Sequence, residues 1–329
     1  MEALKRFERA IGSKMALVSL GCVALGVLFP QAFGPLESVV PALFAIMTFQ
    51  GSLNNTFHQL AHVFRDPRRL LVILAVNVVG MPLVARVLAG AIFGGDPNLV
   101  TGIVLEYSVP IGVVSYMWIG MYGGNTALGL AAILVSTVLS PFTIPLGLQL
   151  LLGQTVQVDV MGMMTSMIFM IALPALAGMV VNDATHGWGR ETLSPNLSPI
   201  SKILLMVIIT ANATGISDFM RNLTPVLVGV MAFILVFATS GFLWGLVAAR
   251  LGGESLPNLV TMCFDCGIRN ISAGAVLAAA YFPPEVMFPV MMGTLFQQVL
   301  AATFGSVMSR IVAGGGGDER GGLDRSRRP

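Results

Sequence analysis

The chain has 329 residues, of which 55% are apolar and only 10% charged, with a mean hydropathy of +0.84. Soluble domains carry about a quarter charged residues, so this balance belongs to the membrane class. A net charge of +2 excludes a nucleic-acid footprint.

The N-terminus is basic (Lys5, Arg6, Arg9, Lys14) and leads into an apolar run that continues to about Phe33. The run has no A-x-A cleavage site, so it reads as a first span rather than a signal peptide. A spanning helix needs ~20 mostly apolar residues. Ten segments qualify, at about 14–33, 35–53, 70–93, 98–122, 125–152, 160–182, 199–216, 223–249, 257–282 and 286–311. The expected fold is therefore an all-α membrane protein of ten transmembrane helices. The connections are short and leave no room for a soluble domain. From Gly314 the tail is Gly-rich and charged, which predicts disorder.

Lys and Arg accumulate on the cytoplasmic side of membrane proteins. With the N-terminus inside, the cytoplasmic segments hold fifteen: Lys5, Arg6, Arg9, Lys14, Arg65, Arg68, Arg69, Arg190, Lys202, Arg250, Arg310, Arg320, Arg325, Arg327 and Arg328. The outer loops hold only Arg221. Both termini are expected in the cytoplasm of a bacterial cell, and the chain in its inner membrane.

Pro97-Asn98-Leu99-Val100-Thr101 recurs as Pro257-Asn258-Leu259-Val260-Thr261, each copy following a Gly-Gly pair and an acidic residue. The copies open the fourth and ninth spans. An offset of five spans reverses orientation, the arrangement of inverted-repeat transporters. The expected organisation is a cytoplasmic N-terminus (1–13), two five-helix repeats (14–152 and 153–311) and a disordered cytoplasmic tail (312–329).

The same two spans carry polar and helix-breaking residues near their middles. These are Glu106, Ser108, Pro110 and Gly112 in the fourth, and Asp265, Gly267, Arg269, Asn270, Ser272 and Gly274 in the ninth. Irregular backbone at bilayer depth is tolerated only beside protein or a wet cavity. A broken helix offers free N–H groups and a positive dipole end, which suit an anion. Matched breaks in two halves point to a midplane binding site. Interruptions near Pro110 and Gly267, with the two helices crossing there, are expected. The predicted cavity is lined by Ser115, Asn270 and the backbone N–H groups near Ile111, Gly112, Val113 and Ser272. Glu106, Asp265 and Arg269 are the deepest ionisable residues, and a charge there costs ~2.5–3.5 kcal/mol on insertion scales.

Other features carry less. Cys263-x-x-Cys266 lacks a second CxxC or a histidine cluster and reads as packing. His58 and His62 have i,i+4 spacing but sit in a basic connection, where solvation is the simpler reading. Arg86 lies near a span end, and Pro141 and Pro145 bend the fifth span. No P-loop and no nucleophile–base set is present, so the chain is not expected to be an enzyme or an ATP-driven pump. An intramembrane protease would need paired carboxylates; only Glu106 with Asp265 is available, and Arg269 beside them would suppress a shared proton. A channel or a transport-dead sensor is the remaining alternative.

The stretches PIGVVSYMWIGMYGGNTALGLAAILVSTVLSPFTIPL (110–146) and CFDCGIRNISAGAVLAAAYF (263–282) resemble the fourth, fifth and ninth spans of the bile acid:sodium symporter family. The resemblance implies panel and core subdomains, a crossing of helices four and nine, sodium behind it and an organic anion in front. By position, Asp265 falls on the family's sodium-binding Glu, with Asn270 beside it, Ser115 on a polar ligand and Asn77 on a Gln. If sodium binds, Asp265, Ser115 and Asn77 are its implied ligands. This chain departs elsewhere: Tyr116 replaces an Asn, Gly129 and Ile133 replace hydroxyl residues, and Arg269 replaces a ligating Gln. An arginine has no acceptor to offer a cation. The expectation is a secondary transporter of a small organic anion with sodium coupling in doubt, either sodium-independent exchange or proton coupling taking its place. Arg269 is expected to pair with Asp265 or Glu106 as a fixed cation. No cofactor, protein partner or nucleic acid is expected, only the anion and membrane lipid.

Overall fold

A computed structural model describes the backbone of residues 15–57 and 67–324 and the side chains of 17–57 and 67–312. Lys5, Arg6, Arg9, Lys14, His58, His62, Arg65, Arg325, Arg327 and Arg328 lie outside the described residues, as does the segment 1–13.

The apolar runs fold as helices because the backbone can then satisfy its own polar groups without water. In chain order these are α1 (Met15–Leu28), α2 (Pro30–Ser52), α3 (Arg68–Phe93), α4 (Pro97–Ser108), α5 (Val114–Met121), α6 (Thr126–Leu152) and α7 (Val160–Ala184). There follow α8 (Gly189–Thr214), the short α9 (Ser217–Arg221), α10 (Pro225–Leu251), α11 (Leu256–Gly267), α12 (Ile271–Tyr281) and α13 (Pro284–Val312). Among the described residues seven of them (α2, α3, α6, α7, α8, α10 and α13) are long and apolar enough to cross a membrane. There is no strand among the described residues, only one isolated bridge between Ile111 and Arg269.

Two boundaries differ from the sequence expectation, at the start of α8 and at the end of the last helix, while the fifth span keeps its expected extent. The helix expected from residue 199 begins at Gly189, since a π-turn (Gly189–Leu193) leads straight into Ser194–Thr214. Pro195 there occupies the first turn of an α-helical stretch, where a missing N–H costs little. Pro141 and Pro145 lie inside α6, which stays one helix from Thr126 to Leu152. The last helix keeps its backbone helical to Asp324, past the point where composition marks the tail as disordered. Once started, a helix gains one backbone hydrogen bond for each residue added.

Both copies of the repeated pentapeptide open a helix. Pro97 and Pro257 lie in the first turns of α4 and α11. Thr101 donates to the Pro97 carbonyl at 2.7 Å and Thr261 to the Pro257 carbonyl at 2.9 Å. Asp96 caps α4 through the N–H groups of Asn98 and Leu99, a role that Ser255 does not take at α11. The echo is one of local geometry as well as of letters.

The helices pack in two groups. α1, α2, α7 and α8 lie against one another, and α3 to α6 pack with α10 to α13. Within the second group α10 and α11 meet closely at Gly241 and Gly245, a Gly-x-x-x-Gly spacing that lets two backbones approach. A Cβ at Gly245 would lie 2.1 Å from the Met262 carbonyl oxygen. Gly245→Ala is therefore expected to cost ~1–3 kcal/mol, since backbone cannot yield to it. Thermal unfolding in detergent measures this, with Gly147→Ala, where nothing lies within 4 Å, as the neutral control.

Candidate functional site

α4 stops at Ser108 and α5 starts at Val114; α11 stops at Gly267 and α12 starts at Ile271. Pro110 brings no N–H to continue α4 and biases Val109 toward an extended backbone, and Val109 has φ −67° and ψ 156°. Ile268 is likewise extended, with φ −108° and ψ 124°. The two interruptions meet. Gly112 N–H donates to the Ile268 carbonyl at 3.0 Å, and Asn270 N–H to the Pro110 carbonyl at 2.9 Å. Gly112 is required at this contact, because a Cβ there would lie 2.6 Å from the Arg269 carbonyl oxygen.

Exposed backbone at membrane depth needs further partners. Gln297 of α13 supplies two: its Oε1 accepts from Arg269 N–H at 2.7 Å, and its Nε2 donates to the Arg269 carbonyl at 3.0 Å. The Ser136 hydroxyl oxygen accepts from Ile111 N–H at 3.2 Å. Neither residue was singled out from the sequence.

Beside that of Val109 at the end of α4, four N–H groups at the starts of α5 and α12 are left over. Among the described residues, those of Val113, Val114, Ile271 and Ser272 have no protein partner. They begin α5 and α12, where the aligned peptide dipoles leave partial positive charge. All four residues line a cavity of about 220 Å³ between the two helix groups. Its opposite wall comes from Ser19 of α1, Phe44, Met47, Thr48 and Gln50 of α2, and Leu205 and Ile209 of α8. Asn270 caps α12 by accepting from Ala273 N–H at 3.3 Å, so its side chain shapes the cavity as well as lining it.

The sequence-derived site residues therefore separate. Gly112, Val113, Asn270 and Ser272 line the cavity. Ser115 and Ile111, expected there, do not: both are fully buried behind the crossover. Because α5 starts only at Val114, Ser115 falls on its inner side, where its hydroxyl donates to Asp265 Oδ1 at 2.7 Å. The other carboxylate oxygen of Asp265 has no partner, and Gly129 is its bare neighbour, a Cβ there lying 3.5 Å away. Tyr116 is 37% exposed.

The expected ion pair of Arg269 with Asp265 or Glu106 is absent. Among the described residues the ion pair is Arg69 with Glu254, at 2.6 Å. The break after Gly267 takes Arg269 off the face of α11 that carries Asp265. Its Nη1 donates instead to the Asn77 main-chain carbonyl at 3.4 Å. Asn77 sits in a π-turn (Ala75–Gly80) of α3, donating to the Ile73 carbonyl at 2.7 Å and to Cys266 Sγ at 3.8 Å. Cys263 and Cys266 are free thiols, fully buried in the packing.

Two interrupted helices whose breaks hydrogen-bond to each other in a multi-pass helical bundle, beside a cavity lined by residues with free N–H groups, make this a membrane transporter. The chain belongs to the sodium bile acid symporter family, whose model matches residues 40–223. It is 39% identical to the uncharacterized protein YbaS of Bacillus subtilis (strain 168), over 90% of this chain and 97% of that one. Similarity extends to the uncharacterized sodium-dependent transporter YocS of the same bacterium, at 22% identity over 95% and 96% of the two chains. It reaches the probable sodium/metabolite cotransporter BASS1, chloroplastic, of Arabidopsis thaliana, at 26% identity over 89% and 72%. The names of the last two describe transporters.

Proposed function

We propose that this protein is a secondary transporter that carries a small organic anion across the bacterial cytoplasmic membrane by alternating access, without needing sodium. The observation that carries the anion is the set of partnerless N–H groups at Val113, Val114, Ile271 and Ser272, four residues that line one cavity. Among the described residues no Lys or Asp side chain lines that cavity, and the only Glu or Arg among its walls is Arg269 at the crossover itself. A carboxylate suits such a cradle, since helix N-termini bind anions through N–H groups and dipole together. The cavity lies between the two helix groups, so a shift of one against the other would open it to either side.

In this reading α4 with α5 and α11 with α12 each make one interrupted span. Together with the eight other transmembrane helices they give ten spans in two inverted halves, and both termini stay in the cytoplasm. The repeated pentapeptide and the charge asymmetry of the connections support this topology.

Sodium independence rests on the donor set. One carboxylate oxygen of Asp265 accepts from the Ser115 hydroxyl, while Gly129 and Thr261 stand beside the other. Near Asn77 stands Arg269, which has donors only. Arg269 brings no acceptor to the second set and Gly129 no side-chain oxygen to the first, so each is poorer in ligands than a cation site that takes several oxygens. The expected result is that uptake of small carboxylates into proteoliposomes is unchanged when choline replaces sodium. Strict sodium dependence would sink this part of the proposal, and saturable binding without exchange would turn the protein into a sensor.

A further inference from the structure

Glu106 on α4 and Arg269 at the ninth-span break are both deeply buried, at 2% and 3% exposure. They are too far apart for an ion pair, and each has an atom without a partner, Oε2 of Glu106 and Nη2 of Arg269. A buried carboxyl and a buried guanidinium that each leave a polar atom without a partner are destabilising unless something joins them. Between them lies a cavity of about 10 Å³, walled also by Tyr107, Cys266, Gly293 and Gln297. That is the room one water molecule needs.

We infer that a single water molecule occupies this cavity, donating to Glu106 and accepting from Arg269, and so closes the charge pair behind the crossover. The neighbours select the occupant. A metal cation would be repelled by the guanidinium and an anion by the carboxylate, whereas a neutral donor–acceptor suits both. Bare glycines make the space: a Cβ at Gly293 would lie 1.9 Å from Glu106 Oε1. The bridge ties α4, the ninth-span break and α13 into one unit that holds its own positive charge. This rests on the reading of Arg269 as a resident cation but not on any transport assay.

The test uses the full chain in lipid nanodiscs, imaged at a resolution that shows ordered water. One density within hydrogen-bond distance of both side chains is expected; a direct Glu106–Arg269 contact or an empty cavity overturns the inference. A thermal cycle accompanies it. Glu106→Gln and Arg269→Met alone should each lower the melting temperature by about 10 °C, by leaving one charge unpaired. The double variant should return to within about 3 °C of the parent. Losses that simply add would mean that the two residues do not share a partner, and would overturn the inference. If the single variants fail to fold, recovery in the double variant still supports it, and the density decides if all three fail. Sodium dependence of uptake would leave both readouts untouched, so the two proposals fail separately.

Discussion

Gly112→Ala is expected to destroy the crossover and with it transport. The added Cβ would stand 2.6 Å from the Arg269 carbonyl oxygen and 2.9 Å from its carbon, both main-chain atoms held in place by Gln297. The two interruptions must then part, which breaks the Gly112–Ile268 bond and strains the Asn270–Pro110 bond beside it. Overpacking costs ~1–3 kcal/mol and each abandoned buried polar group a similar amount, so a total of ~3–5 kcal/mol is expected. Thermal unfolding in detergent reads the first effect. Counterflow of labelled small carboxylates in proteoliposomes reads the second, where exchange should fall to background. A variant with parental melting and parental exchange would falsify the close contact on which the site is built.

Gln297→Leu should be nearly as damaging, for a different reason. The leucine fills much of the same volume but can neither accept from Arg269 N–H nor donate to its carbonyl. Both groups then lie buried and unsatisfied, at ~1–3 kcal/mol each. Gln297→Glu keeps the acceptor and loses the donor, so about half of the loss is expected from it. The order Gln, Glu, Leu in melting temperature and in exchange rate would establish the clamp. Equal behaviour of Glu and Leu would show that the acceptor oxygen contributes nothing.

Much of this site can be read from the chain. Pro110 and Gly267 mark the breaks because proline lacks an N–H and glycine lacks a side chain, and both properties are local. Asn270 is legible as a cavity residue, whereas its role as the cap of α12 comes from the structure. What depends on tertiary packing stays hidden. Gln297 is one of two adjacent glutamines in an apolar helix, 28 residues from the peptide it clamps, and nothing near it signals the partner. Ser115 was expected in the cavity because it follows the break. Each helical residue turns the chain by about 100°, so the start of α5 at Val114 decides which way Ser115 faces. The direction of Arg269 fails similarly, since the helical face that would align it with Asp265 ends two residues earlier. The π-turn at Asn77 arises from one extra residue in a turn, which an apolar pattern conceals.

The interruptions also bear on how the chain enters the bilayer. α11 has 12 residues and α12 has 11, so each reaches only about 17 Å along its axis, against a hydrocarbon core of about 30 Å. Neither half can be recognised by the insertion machinery as a span in its own right, and the segment holding Asp265 and Arg269 is scored against as well. α10, with 27 strongly apolar residues, inserts readily and presents Gly241 and Gly245 as a bed for α11. On the proposed topology, α11 and α12 are therefore expected to enter beside α10 rather than on their own. Loosening the α10 bed would appear first as failed membrane integration during synthesis, before any finished protein exists to be assayed.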